Sequence, residues 1–162
     1  QSRFGDLLAA NPEAAYFADP QTSAIIGDQC PQVTVLRPGE FSVGAVSLRA
    51  VGEKHAFNHD WAPVVDNSGV VFSAPGEPVL FHPGDAYDAD PGTVDVLACP
   101  VNAPWCAVRD TIAFVQRVAP RAFVPIHDGL LSDAGRAMYI GHVANFAGAE
   151  PMDLKGAGAT AV

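Results

Sequence analysis

The chain has 162 residues, 49% of them apolar and only 17% charged, with a net charge of −9. These values fit one domain with a real core and argue against disorder. The acidic balance argues against a phosphate-backbone partner, which needs clustered Lys and Arg, and favours attraction of cations.

In chain order, residues 4–10 read as a short helix that Asn11-Pro12 ends. Residues 14–17 read as a short buried strand, and 20–27 as a helical turn with Pro20 near its start and Gly27 at its end. A strand over 32–36 leads into the turn Arg37-Pro38-Gly39-Glu40. Residues 41–43 and 46–51 read as strands joined around Gly44. Val64-Val65 and 69–72 read as strand pieces about a bulge at Asn67-Ser68-Gly69, and 73–77 as a hairpin loop into a strand over 79–82. Short connections through this β-rich half predict antiparallel pairing.

After Asp85 the pattern changes. Residues 94–98 read as a buried strand, and Asn102 as the cap of a helix running to about Ala119 with Pro104 in its first turn. Ile112, Val115 and Val118 or Ala119 then share a face. Pro120 stops that helix, and 121–126 is the next strand. Ser132-Asp133 caps a last helix through Phe146, weakened at Gly135 and Gly141, and the Gly/Ala-rich stretch 148–162 reads as a frayed tail.

Cys30, Cys99 and Cys106 are an odd number with no Cys-x-x-Cys pair, so they read as reduced, buried residues of a cytoplasmic protein. No apolar run approaches the roughly 20 residues that cross a membrane, and no signal-peptide pattern opens the sequence at Gln1.

Three segments carry chemistry: Gly52-Glu53-Lys54-His55-Ala56, Phe81-His82-Pro83-Gly84-Asp85 and Pro125-Ile126-His127-Asp128. Each ends a strand-like run with a residue that binds metals. Residues just past several strand ends can meet at one rim of a sheet, and a His, an Asp and a His meeting there make a site for zinc or a similar ion. His82 alternates away from that rim and reads as a packing or supporting residue. His142 lies within the last helix and reads as structural. His59 and Asp60 belong either to a substrate mouth or to a solvated loop, Trp105 either to the core or to a pocket wall, and Asp128 either orients a neighbour or caps a turn.

The order of these motifs, with Asn102-Ala103-Pro104-Trp105 and the extension Asp128-Gly129-Leu130-Leu131, resembles the metallo-β-lactamase fold superfamily over roughly residues 30–147. The nearest type is the small bacterial hydrolases of the ascorbate-phosphate-lactonase-like kind. The resemblance implies an α/β (α+β) fold: an αββα sandwich, here its C-terminal portion, with a mixed sheet and flanking helices, and residues 1–162 forming one domain. It implies that His55 is a ligand of a first metal, Asp85 the carboxylate bridging two metals and His127 a ligand of the second. The metals would be zinc, two per complete site, with manganese as another candidate. The implied nucleophile is a hydroxide held between metals about 3.5–4 Å apart, acting on a small ester, lactone or phosphoester. His59 and Trp105, by their place beside the rim, are the candidates to contact that substrate, and the catalytic residues are left unassigned. The family signature His-x-His-x-Asp-His does not occur in these residues. The chain therefore reads as lacking N-terminal strands, inactive alone, and pairing with the missing segment or with a second copy. The alternative is a metal-free remnant that acts as a binding or assembly module. Neither nucleic acid nor membrane is expected as a partner.

Overall fold

The computed structural model describes residues 3–157. Among them, four helices and nine strands follow the order α1 (Phe4–Ala10), β1 (Phe17–Ala18), α2 (Pro20–Ile26), β2 (Thr34–Val35), β3 (Gly39–Val43), β4 (Val46–Val51), β5 (Gly69–Ser73), β6 (Leu80–His82), β7 (Val96–Pro100), α3 (Val108–Val118), β8 (Ala122–Ile126), α4 (Asp133–Ala147) and β9 (Glu150–Pro151). Strands β3 to β9 make one seven-stranded sheet in sequence order, and β1 and β2 pair separately in parallel.

The sheet changes character where the sequence does. Strands β3 to β6 pair antiparallel, β3 to β4 and β5 to β6 through short connections and β4 to β5 through the long loop 52–68 that carries His55, whereas β6 to β9 pair parallel. Strand β7, Val96-Leu97-Ala98-Cys99-Pro100, is buried along its whole length, as a central parallel strand must be. The register sets Val71 opposite Phe81, Phe81 opposite Leu97 and Leu97 opposite Phe123, so these four side chains share one face. On that face they pack with Phe114, Val115 and Val118 of α3 and Val143 of α4 to form the core. Fully burying side chains of this size contributes roughly 1.5–3 kcal/mol each.

Four local readings change. The strand read over 14–17 begins only at Phe17, where β1 pairs with β2. Val64-Val65 is loop, not strand. Its Val65 carbonyl accepts the His55 N–H at 3.0 Å, and the isolated pairing of Lys54 with Asp66 takes the place of a ladder. Helix α3 starts at Val108 with Ala107 as its cap, so Asn102 is not the cap. Residues 103–106 instead close a tight turn in which the Cys106 N–H donates to the Ala103 carbonyl at 3.3 Å. Pro104 disfavours helical backbone in the residue before it, which favours such a turn. The tail read from Gly148 contributes β9, and the Met152 N–H donates to the Phe123 carbonyl at 2.8 Å. Residues 158–162 of that reading lie outside the described residues.

Candidate metal centre

The loops that follow β4, β6 and β8 bring His55, Asp85 and His127 together. His55 Nε2 lies 3.9 Å from Asp85 Oδ2, and His127 Nε2 lies 3.4 Å from Asp85 Oδ1. The carboxylate stands between two imidazoles and offers each a different oxygen. All three side chains are partly exposed, at 22%, 43% and 33% for His55, Asp85 and His127, so the rim is open to solvent.

Each side chain is aimed by its own local structure. His55 Nδ1 lies 2.6 Å from the Ala56 carbonyl oxygen. A carbonyl carries no proton, so Nδ1 donates, and in the tautomer that binds a metal this leaves Nε2 bare towards Asp85. The Ala56 N–H also donates to the Asp85 carbonyl at 2.8 Å, tying the two loops together. Asp85 follows Gly84, whose backbone is left-handed at φ 67°. Asn67 braces that turn. Its Nδ2 donates to the Pro83 carbonyl and its Oδ1 accepts the Asp85 N–H, both at 2.9 Å. A Cβ at position 84 would lie 2.1 Å from Asn67 Oδ1, so only glycine fits. His82, exposed at the strand end, accepts the Gly84 N–H on Nδ1 at 3.1 Å and shapes the same turn. His127 is itself left-handed at φ 59°, an uncommon state for a residue other than glycine.

Trp105 lies against both histidines. Its ring is edge-on to His55 at 6.0 Å and to His127 at 6.3 Å, and it meets Tyr87 at 4.8 Å. Tyr87 in turn stacks on Phe114 at 4.4 Å, and its hydroxyl donates to the Pro100 carbonyl and lies 3.0 Å from Thr111 Oγ1. Burial pushes that phenol well above its ordinary range, so it stays neutral. Trp105 is thus a wall of the donor rim that rests on the core. His59 is exposed, and its ring and Nδ1 engage Trp61 at 5.4 and 3.2 Å. His142 stacks on Phe146 within α4.

Do these donors fit a metal? The Nε2–oxygen separations of 3.4 and 3.9 Å are too long for hydrogen bonds. They are of the size that separates two ligands of one ion, each about 2.0–2.2 Å from it. A bare imidazole nitrogen facing a carboxylate oxygen is two acceptors facing each other, which a cation between them stabilises. Among the described residues no three His, Cys, Asp or Glu gather on a single point. The trio is two donor pairs that share Asp85. Sequence reading missed Asn67, whose one signal, the Asn-Ser-Gly run, read only as a bulge.

A mixed sheet of this order with flanking helices is a metallo-hydrolase superfamily fold. The chain belongs to the metallo-β-lactamase fold superfamily: the family described as "Beta-lactamase superfamily domain" matches residues 10–127, a span that includes His55, Asp85 and His127. It is 37% identical over 143 residues to Protein Rv0786c of Mycobacterium tuberculosis, covering 88% of this chain and 66% of that protein, so it spans just under two thirds of that relative's length. Its fold is similar to that of Igni18, a metallo hydrolase from the archaeon Ignicoccus hospitalis, with a TM-score of 0.70 at 12% identity over 94% of this chain and 70% of the other. It is also similar to the isothiocyanate hydrolase from Delia radicum gut bacteria, with a TM-score of 0.58 at 13% identity over 85% and 62%. At such identities the likeness is one of fold. Among the described residues no helix is long and apolar enough to cross a membrane.

Proposed function

We propose that this chain supplies part of the active site of a metal-dependent hydrolase acting on a small ester, lactone or phosphoester. The observation that carries the reading is Asp85 standing between His55 and His127, 3.9 and 3.4 Å from their Nε2 atoms. Divalent ions, for which zinc best suits imidazole and carboxylate donors, supply a nucleophilic water near neutral pH and polarise the bond under attack. Asp85 would hold two ions together, with His55 on one and His127 on the other. The Nδ1 contact of His55 keeps its Nε2 free to ligate, and Trp105 shields one side of the rim from water and bounds the substrate. His59 takes a secondary part in our reading, at the mouth beside Trp61. The free cysteines agree with a reducing, cytoplasmic setting.

Catalytic zinc takes about three protein ligands, more than this trio gives either of two ions. We therefore read the remaining ligands as coming from a segment outside this sequence, or from a second copy. A surface for that partner is an apolar groove of about 400 Å³ between Tyr16, Phe17 and Leu36 on one side and Leu48, Val70 and Phe72 of the sheet on the other. A second reading, a metal-free binding or assembly module, draws on the lack of a three-donor cluster among the described residues.

The test is zinc stoichiometry and turnover of ester, lactone and phosphoester panels, run on this chain and on a longer polypeptide that includes its upstream reading frame. The longer protein should bind two ions and turn over one panel, while this chain binds zinc weakly and turns over slowly. His55→Ala, Asp85→Asn and His127→Ala should each abolish turnover in the longer protein. A longer protein that binds no metal would sink the hydrolase reading in favour of the module.

A further inference from the structure

Arg136 is the one Lys, Arg, Asp or Glu that is buried among the described residues, at 7% exposure. It lies in the first turns of α4, and each nitrogen of its guanidinium donates a hydrogen bond. Nε donates to the Asp128 carboxylate, and Nη1 and Nη2 donate to the two oxygens of Asp153 at 2.5 and 2.8 Å. Asp128 directly follows His127, whose backbone is left-handed at φ 59°. The Asp128 carbonyl also accepts the Leu131 N–H at 3.0 Å. A non-glycine residue persists in that conformation only where its surroundings over-determine it. Here Arg136 grips the next residue by its carboxylate, while the Leu131 N–H holds its carbonyl.

We propose that Arg136 is a positioning residue for the metal centre: through Asp128 it holds His127 at the rim facing Asp85, and Asp153 of the C-terminal segment completes the clamp. The proposal rests on reading His127 as a ligand. Its logic is geometric and electrostatic. A guanidinium is a planar fork that fixes two carboxylates in set directions, which the single point charge of a lysine cannot do. Without the cation, two partly buried carboxylates face each other, and the one free to move is attached to the His127 loop. The segment carrying β9 and Asp153 would then do more than end the sheet, because the docking of Asp153 would set the direction of the His127 imidazole, 26 residues earlier in the chain (153 − 127).

The experiment uses the full chain with Arg136→Lys, Asp128→Asn and Asp153→Asn. Asp133→Asn serves as the control, since it removes the exposed pair with Lys155 between the same helix and the same segment. Two readouts are needed: the ring resonances of His127, His55 and His142 in metal-free protein, and zinc affinity by titration. R136K and D128N should move the His127 resonances, leave those of His55 and His142 in place, and weaken zinc binding about 10–100-fold, the range for residues that orient metal ligands. D153N should act in the same direction by less, and the control should change neither readout. If R136K and D128N lower only the thermal midpoint, with His127 and zinc affinity unmoved, Arg136 is a structural brace and the proposal is overturned. If the unaltered chain binds zinc too weakly to titrate, the same variants are titrated in the longer polypeptide; a longer protein that binds no zinc overturns the ligand reading, and His127 resonances unmoved by R136K and D128N overturn the positioning role.

Discussion

Gly84 and Asn67 show how tightly one residue of the rim is specified. The turn needs a left-handed backbone at Gly84, and the space a side chain would take is filled by Asn67 Oδ1. Gly84→Ala should therefore destabilise the protein by about 1–3 kcal/mol, the range for strained backbone, measured by urea denaturation. It should also swing Asp85 away from the histidines. Asn67→Ala should cost roughly 1–3 kcal/mol for the same reason from the other side, because the Asp85 N–H loses its acceptor. If either variant leaves both the denaturation midpoint and the Asp85 environment unchanged, the turn does not depend on this brace. Gly84 was legible in the sequence as a Gly-Asp pair past a strand. Asn67 was not, because its partners lie 16 and 18 residues away and only pairing of β5 with β6 brings them near.

At the scale of elements, α3 separates two readings of the same residues. Asn102 and Pro104 have the composition of a helix start, yet the helix begins after Ala107, whose N–H donates to the Asp110 carboxylate at 2.9 Å. Asn102 is half-buried and caps no helix, so Asn102→Ala should change stability by no more than about 0.5 kcal/mol. Asp110→Ala should cost about 0.5–1 kcal/mol, a helix-cap effect. Thermal unfolding of the two variants checks the order, and a larger loss from Asn102 would mean that the helix start is misplaced. The reason for the shift is tertiary. Trp105 is drawn against His55, His127 and Tyr87, and a turn rather than a helix presents it there. The strands were easier to read, because continuous apolar runs such as Val96-Leu97-Ala98-Cys99 carry their own burial. In the same layer Phe123 is fully buried between β7 and the helices, so Phe123→Ala should cost about 3–5 kcal/mol in chemical denaturation.

At the scale of the molecule, the C-terminal segment is joined to the body by β9 and by Arg136. The Arg136 guanidinium, by bonding both oxygens of Asp153, lowers that carboxyl from its ordinary 3.8 to about 2. A group whose folded pKa is depressed adds stability above its unfolded pKa and loses it as pH falls through the folded one. Stability should therefore be flat in this term above about pH 4 and decline from there towards about pH 2. Denaturation midpoints between pH 5 and 2 should fall more steeply for the unaltered chain than for Asp153→Asn. Parallel curves would mean that the clamp does not couple to folding. Partial exposure of Asp153, at 48%, lets solvent screen the pair and keeps the effect modest.

The sequence by itself determined the antiparallel pairing of the first half, the change of pattern after Asp85, most element positions and which three residues, His55, Asp85 and His127, stand just past strand ends. Each of these is written locally, in alternation, turn residues and a polar residue placed just past an apolar run. Only the tertiary structure decided that one Asp85 oxygen faces each histidine, that Asn67 fixes the Gly84 turn, that Trp105 walls the site and that Arg136 ties Asp153 to the His127 loop. Those relations join residues far apart in the chain, and they exist only once the sheet has set their spacing and direction.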